Sequence, residues 1–232
     1  MNVSDSELRE LFDASAGSYD RVNTIISVGL DARWRDWVAR RAVTAPGGEV
    51  LDAFAGTGLA GLRAAALGAR VTLADVSEGM LAVACRRADA RGLAIASVVT
   101  DLTADPPVVP GGPFDAITMV FGARYLADPS AVMRRLSLLL RPGGKFVVLD
   151  FVEPDGGVIS RLAAAYFFRV LPWIAGVLAG RRDLYDRLVS TTHAMRGRDH
   201  LEGLVRDAGL TIVETRAMGF GLVLGVVGIV RG

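Results

Sequence analysis

Between Glu49 and Phe151 short apolar runs alternate with helix-patterned stretches, and this alternation constrains the chain more than any other feature. Glu49 to Phe54, Arg70 to Asp75, Ile95 to Val99, Phe114 to Val120 and Lys145 to Phe151 each read as a buried strand. Runs that are apolar on both faces belong to a sheet covered on both sides, and strands separated by helices run parallel. The punctuation agrees. Gly56-Thr57-Gly58 leads into a helical run from Leu59 to Leu67, which Gly68 closes, and Ser77 stands where a cap would start a helix from Glu78 to Arg91. Asp128-Pro129 opens a helix reaching Leu140, and Arg141-Pro142-Gly143-Gly144 turns the chain into the fifth strand.

The end of the chain breaks the rhythm. A helix from Asp199 to Ala208 precedes two apolar runs, Leu210 to Met218 and Leu222 to Val230, joined only by Gly219-Phe220-Gly221. So short a link requires an antiparallel pair. The expected fold is α/β, a doubly wound seven-stranded, mostly parallel sheet with one antiparallel strand. A single domain over residues 1–232 is expected, with a helical cap at 1–45 and a helical insertion at 155–197.

Composition narrows the partners. A net charge of +1 supplies no basic field for a nucleic-acid groove, so nucleic acid is not expected and a small molecule is. Cys85 is the one cysteine, and no charged-then-apolar leader opens the chain, which points to the cytoplasm. No His/Cys/Asp cluster has metal-ligand spacing, so no metal is expected. The mean hydropathy of +0.38 implies apolar surface to be hidden or used. Val158 to Gly180 approaches membrane-helix density, but Arg169 and Pro172 sit in its middle. The segment from Val158 to Arg196 therefore reads as an apolar cover over a substrate or as a membrane-surface helix. Phe167, Phe168 and Trp173 would meet the substrate and Arg161, Arg169, Arg181 and Arg182 would meet anionic lipid. A homodimer interface is the competing reading.

The strand ends carry the chemistry. Asp52-Ala53-Phe54-Ala55-Gly56-Thr57-Gly58 lies where the first strand of a doubly wound sheet delivers its ligand loop. Glycines there admit a ligand to the backbone, and the helix N-terminus behind them favours an anionic group. A tight turn without a ligand is the plain alternative. Asp75 ends the second strand, where a carboxylate accepts both hydrogen bonds of a ribose diol; a helix-capping acid is its alternative. Asp101 ends the third strand, placed for an adenine amino group.

These residues, with Phe114-Asp115 and Leu140-Arg141-Pro142-Gly143-Gly144, resemble class I S-adenosylmethionine (SAM) dependent methyltransferases. A closer resemblance, to the ubiquinone/menaquinone biosynthesis C-methyltransferases, rests on Phe12-Asp13, Tyr19-Asp20 and Asn23, Ser27-Val28-Gly29-Leu30 before Trp34, and Phe121-Gly122-Ala123-Arg124. It continues through Leu149-Asp150-Phe151, Pro154, Leu171-Pro172 and Asp207-Ala208-Gly209. The resemblance implies SAM as cofactor, with Thr57, Asp75, Asp101, Leu102 and Val120 on cofactor-binding positions. Tyr19, Asp52, Ala55, Gly56, Gly58, Val76 and Met80 join them as candidates. Tyr19 would cover the methionine end or pack in the core.

The implied reaction is methylation of an aromatic or quinol-like carbon on a small apolar acceptor. N- or O-methylation, and a SAM-binding protein that catalyses a rearrangement or cyclisation without transfer, are the alternatives. Arg124 is a candidate to orient a substrate oxygen or a water, against a surface ion pair with Asp128. Tyr125 is a candidate donor or base, and His193 and His200 are candidate bases against solvated surface. Phe121 is a candidate acceptor contact, whereas Trp34 and Trp37 read as packing.

Departures from the family fall mainly on the acceptor side. The usual Gly-Gly-Thr-Gly-Asp is Ala55-Gly56-Thr57-Gly58-Leu59 here, and Phe-Gly-x-Arg-Asn becomes Phe121-Gly122-Ala123-Arg124-Tyr125. Tyr-Arg-Tyr-Leu survives only within Asp183 to Leu188, and Thr-Gly-Gly becomes Met218-Gly219-Phe220-Gly221.

Overall fold

Seven strands pair in the order β3-β2-β1-β4-β5-β7-β6 in the computed structural model, which describes residues 24, 27, 29–154 and 197–231. The strands are β1 (Glu49–Ala53), β2 (Arg70–Asp75), β3 (Ile95–Val99), β4 (Phe114–Val120), β5 (Leu140–Phe151), β6 (Thr211–Met218) and β7 (Val223–Ile229). Every ladder from β3 to β5 is parallel, and β7 lies antiparallel to both β5 and β6, so β7 is the one reversed strand. This is the expected doubly wound sheet.

Helices α1 (Asp31–Ala42), α2 (Gly61–Ala66), α3 (Glu78–Asp89), α4 (Pro129–Ser137) and α5 (Gly197–Asp207) cover it. Successive strand residues feed opposite cores, as the pleat demands. Val50, Val147 and Leu149 join Trp34, Trp37 and Val38 of α1 on one face. Leu51, Phe146 and Val148 join Met133 and Leu136 of α4 and Leu201 and Val205 of α5 on the other. Trp34 and Trp37 pack as expected.

Boundaries moved where backbone geometry overrides hydropathy. Phe54 leaves β1 because its φ is 57°, and the helix expected from Leu59 starts only at Gly61, after Gly58 at φ 75°. The helix expected to reach Leu140 stops at Ser137. Leu140 instead opens β5 opposite Phe114, and a register shift before the Ala116/Lys145 pair accommodates Arg141 to Gly144. Ser77 caps α3 as expected, its Oγ accepting from the Met80 amide at 3.1 Å.

Gly225 shows how closely α1 seats on the sheet. A β-carbon there would run into the six-membered ring of Trp37, over which Arg41 lies at 4.9 Å. Gly225→Ala is therefore expected to destabilise the fold by ~1–3 kcal/mol, because the added methyl forces the buried indole out of its packed position. A fall in the urea midpoint without change in slope would report this; an unchanged midpoint would show that α1 shifts freely.

Candidate active site

The strand order reverses between β1, which continues to β2, and β4, which continues to β5. In open α/β sheets ligands bind outside the carboxyl ends of the strands at such a point. Both chains leave it through a phenylalanine in the left-handed region, Phe54 after β1 (φ 57°) and Phe121 after β4 (φ 61°). A bulky residue is disfavoured there, and such backbone concentrates at functional sites. The two loops touch closely, since a β-carbon on Gly122 would lie 3.2 Å from the Phe54 Cβ.

The loop after β1 is fastened to β2. The Ala55 amide donates to the Ala74 carbonyl at 3.1 Å, and the Gly56 amide donates to Asp75 Oδ2 at 2.8 Å. Asp75 Oδ1 accepts from the Ser77 amide at 2.9 Å, so one carboxylate joins the glycine loop to the start of α3. Gly58 admits no side chain, because its φ is 75° and a β-carbon would lie 2.7 Å from Ala84 Cβ of α3. Asp101 is exposed beyond β3, its Oδ1 accepting from the amide (2.8 Å) and hydroxyl (2.6 Å) of Thr103.

Ala55, Gly56, Asp75, Val76, Asp101 and Val120 thus keep surface at this edge. Asp52, Thr57, Met80 and Leu102 are core residues with 1–4% exposure, so their side chains shape the site from behind. Asp52 Oδ2 accepts from the Gly61 amide at 2.8 Å and Oδ1 from the Thr118 hydroxyl at 2.6 Å, which ties α2 to β4.

Burial raises the Asp52 carboxyl from 3.8 to about 6, against the lowering effect of the hydrogen bonds from Thr118 and Gly61. The folded chain then holds a proton that the unfolded chain releases between those values. Stability from this group is complete below pH 3.8 and is lost as pH rises through about 6, a swing of ~3 kcal/mol. Asp52→Asn, with its carbonyl toward Gly61 and its amide toward Thr118, is expected to remove that slope. Urea midpoints across this range should show wild type losing ground to the variant as pH rises. A constant difference between the two would refute the burial argument.

On the acceptor side the alternative reading of Arg124, a surface pair with Asp128, is corrected. Arg124 forms no surface pair with Asp128, which instead caps α4 by accepting from the Ala131 amide at 2.9 Å. Its guanidinium donates to Asp150 Oδ1 at 2.6 Å, and the two side chains are 2% and 0% exposed. Two buried charges require this pairing. Asp150 also accepts from the Phe151 amide at 2.8 Å, and Arg124 donates to the half-buried Tyr125 hydroxyl at 3.3 Å. The guanidinium carbon lies 4.7–5.5 Å from the ring centres of Phe121, Tyr125 and Phe151.

Phe121 stacks on Phe151 at 4.9 Å, Trp34 meets both edge-on, and Arg35 lies 5.3 Å from the Phe121 ring. Asp150 and Phe54 entered the sequence reading only as members of longer motifs, without a role of their own, and Arg35 did not enter it. An acid inside the apolar run Lys145 to Phe151 was a legible signal for Asp150, and Asp31 four residues before Arg35 for a helical ion pair; Phe54 carried no signal. Tyr19, Phe167, Phe168, Trp173, His193 and the 155–196 segment lie outside the described residues.

The fold and the site at its switch point define a class I SAM-dependent methyltransferase. The profile of the ubiE/COQ5 methyltransferase family matches residues 1–229, and the chain belongs to that family. It is 36% identical over 204 residues to a demethylmenaquinone methyltransferase of Thermus thermophilus, covering 87% of this chain and 92% of that one. Over 217 residues it is 31% identical to the ubiquinone/menaquinone biosynthesis C-methyltransferase of Cellvibrio japonicus, covering 92% and 87%. In fold it is similar to the magnesium protoporphyrin IX methyltransferase of Synechocystis solved with bound S-adenosylhomocysteine. The TM-score is 0.68 at 20% identity, covering 99% of this chain and 100% of that one.

Proposed function

We propose that the chain methylates a ring carbon of a reduced, quinol-like acceptor. The observation that carries this reading is the near full-length relation to methyltransferases named for menaquinone and ubiquinone precursors. The geometry supports it. An aromatic wall of Phe121 and Phe151, itself buried, backs the acceptor side with apolar surface, and the half-buried Tyr125, held by Arg124, stands beside it to receive an oxygen substituent.

The residues present fit SAM. Asp75, partly exposed at the carboxyl end of β2, carries the carboxylate acceptors that a ribose diol needs. The Ala55 to Gly58 backbone would hold the methionine end, and Asp101 with the Leu102 amide would hold the adenine. SAM, when bound, supplies an electrophilic methyl group on a sulfonium. The protein's part is then positioning: the switch-point loops hold the donor side, and the aromatic wall holds the acceptor ring in line with it. Tyr125 is placed to accept a hydrogen bond from the acceptor hydroxyl, whose proton passes to water as the ring carbon attacks, while Arg124 holds the phenol in place. Asp52 and Met80 support the donor loop from the core.

Incubation with methyl-labelled SAM and a reduced naphthoquinol lacking its ring methyl tests the reading. Label on the ring carbon is the expected result. Label on oxygen or nitrogen would overturn C-methylation, and conversion without label would place the reaction in the non-transferring class.

A further inference from the structure

An open cleft of about 500 Å³ lies between α1 and the end of the edge strand β6. Its floor is apolar, made by Trp37 and Met218, and its rim is basic, made by Arg33 and Arg40 of α1 and Arg216 of β6. The neighbouring acids are already paired: Glu214 with Arg41 at 2.9 Å and Asp36 with Arg63 at 2.7 Å. Arg33, Arg40 and Arg216 are exposed and make no hydrogen bond or ion pair among the described residues. The lining carries four arginines, Arg33, Arg40, Arg41 and Arg216, against the single acid Asp36, and an anionic partner relieves that excess of positive charge.

Beside this rim, the β6–β7 turn presents Phe220 to solvent. The residue is 65% exposed, and its φ of 59° is a backbone state that disfavours a bulky residue. Folding gains little burial from it. An exposed aromatic next to unpaired arginines is the combination that seats a protein on a bilayer, the ring entering the interface and the guanidinium forks taking lipid phosphates. A soluble phosphate would use the arginines and leave Phe220 without a role, and the net charge of +1 suits local lipid contact better than a nucleic-acid track.

We propose that the α1/β6 cleft with Phe220 is a docking surface for anionic phospholipid bilayers. One residue links it to the site described above. Trp34 lines the cleft, backs the turn at Gly219, and meets Phe121 and Phe151 edge-on at 6.4 and 6.1 Å. Docking therefore brings the acceptor side of the sheet to the membrane, where apolar acceptors dissolve. That consequence rests on the quinol reading, and the lipid contact itself does not. Among the described residues no helix is long and apolar enough to cross a membrane, so this contact is peripheral.

Co-sedimentation of the full chain with phosphatidylcholine vesicles, with and without phosphatidylglycerol, tests the proposal. Wild type is expected to partition onto the anionic vesicles and to be released by high salt. Combining Arg33→Glu, Arg40→Glu and Arg216→Glu should weaken partitioning about a hundredfold, and Phe220→Ser about threefold to tenfold. SAM affinity and thermal midpoint should remain those of wild type in both. The exposed pair Arg86→Glu and Arg91→Glu, away from the cleft, should change partitioning less than about twofold. Equal binding to both vesicle types, or a triple variant that binds like wild type, would overturn the proposal. So would a soluble glycerol phosphate site with the same three-arginine dependence and no vesicle binding. Vesicle binding that follows these variants without any methylation of the naphthoquinol would leave the docking surface standing and sink the quinol reading.

Discussion

Replacing Asp75 by alanine is expected to weaken SAM binding at least about a hundredfold in calorimetric titration. Two effects combine. The carboxylate at the end of β2 is the proposed acceptor for the ribose diol, and charged hydrogen bonds are worth ~1.5–3 kcal/mol each, so losing two reaches that factor. The same side chain also holds the Gly56 amide at 2.8 Å and the Ser77 amide at 2.9 Å, so the loop and the start of α3 loosen with it. Asp75→Asn keeps a single carbonyl acceptor and should fall between wild type and alanine. Wild-type affinity in the alanine variant would show that the donor is held elsewhere.

Asp150→Ala is expected to destabilise the fold by ~3–5 kcal/mol, because it strands the Arg124 guanidinium in a place where its side chain is 2% exposed. For a chain of this size that corresponds to a drop of roughly 10 °C in Tm, measured by circular dichroism. The double variant Arg124→Met with Asp150→Leu removes both charges and should recover most of the loss, while its methyl transfer stays low if Arg124 holds Tyr125 in place. A double variant as unstable as the single one would mean that shape, not charge pairing, sets the cost.

The readings that held from sequence all concern local physics. Short apolar runs mark strands buried on both faces of a covered sheet, and they placed β2, β3 and β4 at their observed bounds. Ser77 was legible as a cap because its hydroxyl needs only the amide three residues on. Gly219-Phe220-Gly221 announced an antiparallel pair because three residues cannot cross over a sheet.

What failed or went unread depends on which strands become neighbours. A strand's pattern says that it is buried and says nothing of its position in the sheet. Phe54 and Phe121 therefore became a pair of loop exits only when β4 settled beside β1. For Arg124 the alternative to a substrate contact was a pair with the nearby acid Asp128, yet its partner is Asp150, 26 residues away on β5, because parallel pairing of β4 and β5 brings their carboxyl ends together. Asp52 was read as a ligand contact from its place in the loop motif, and the structure turns it inward to Gly61 and Thr118. The basic rim required Arg216 to return beside α1 from the last hairpin. Sequence by itself determined the elements, their alternation and the acids at the strand ends, because these follow from contacts a few residues apart. Tertiary structure decided the partners of Asp52, Arg124 and Asp150, because desolvation forces a buried polar group onto whatever partner the strand order delivers.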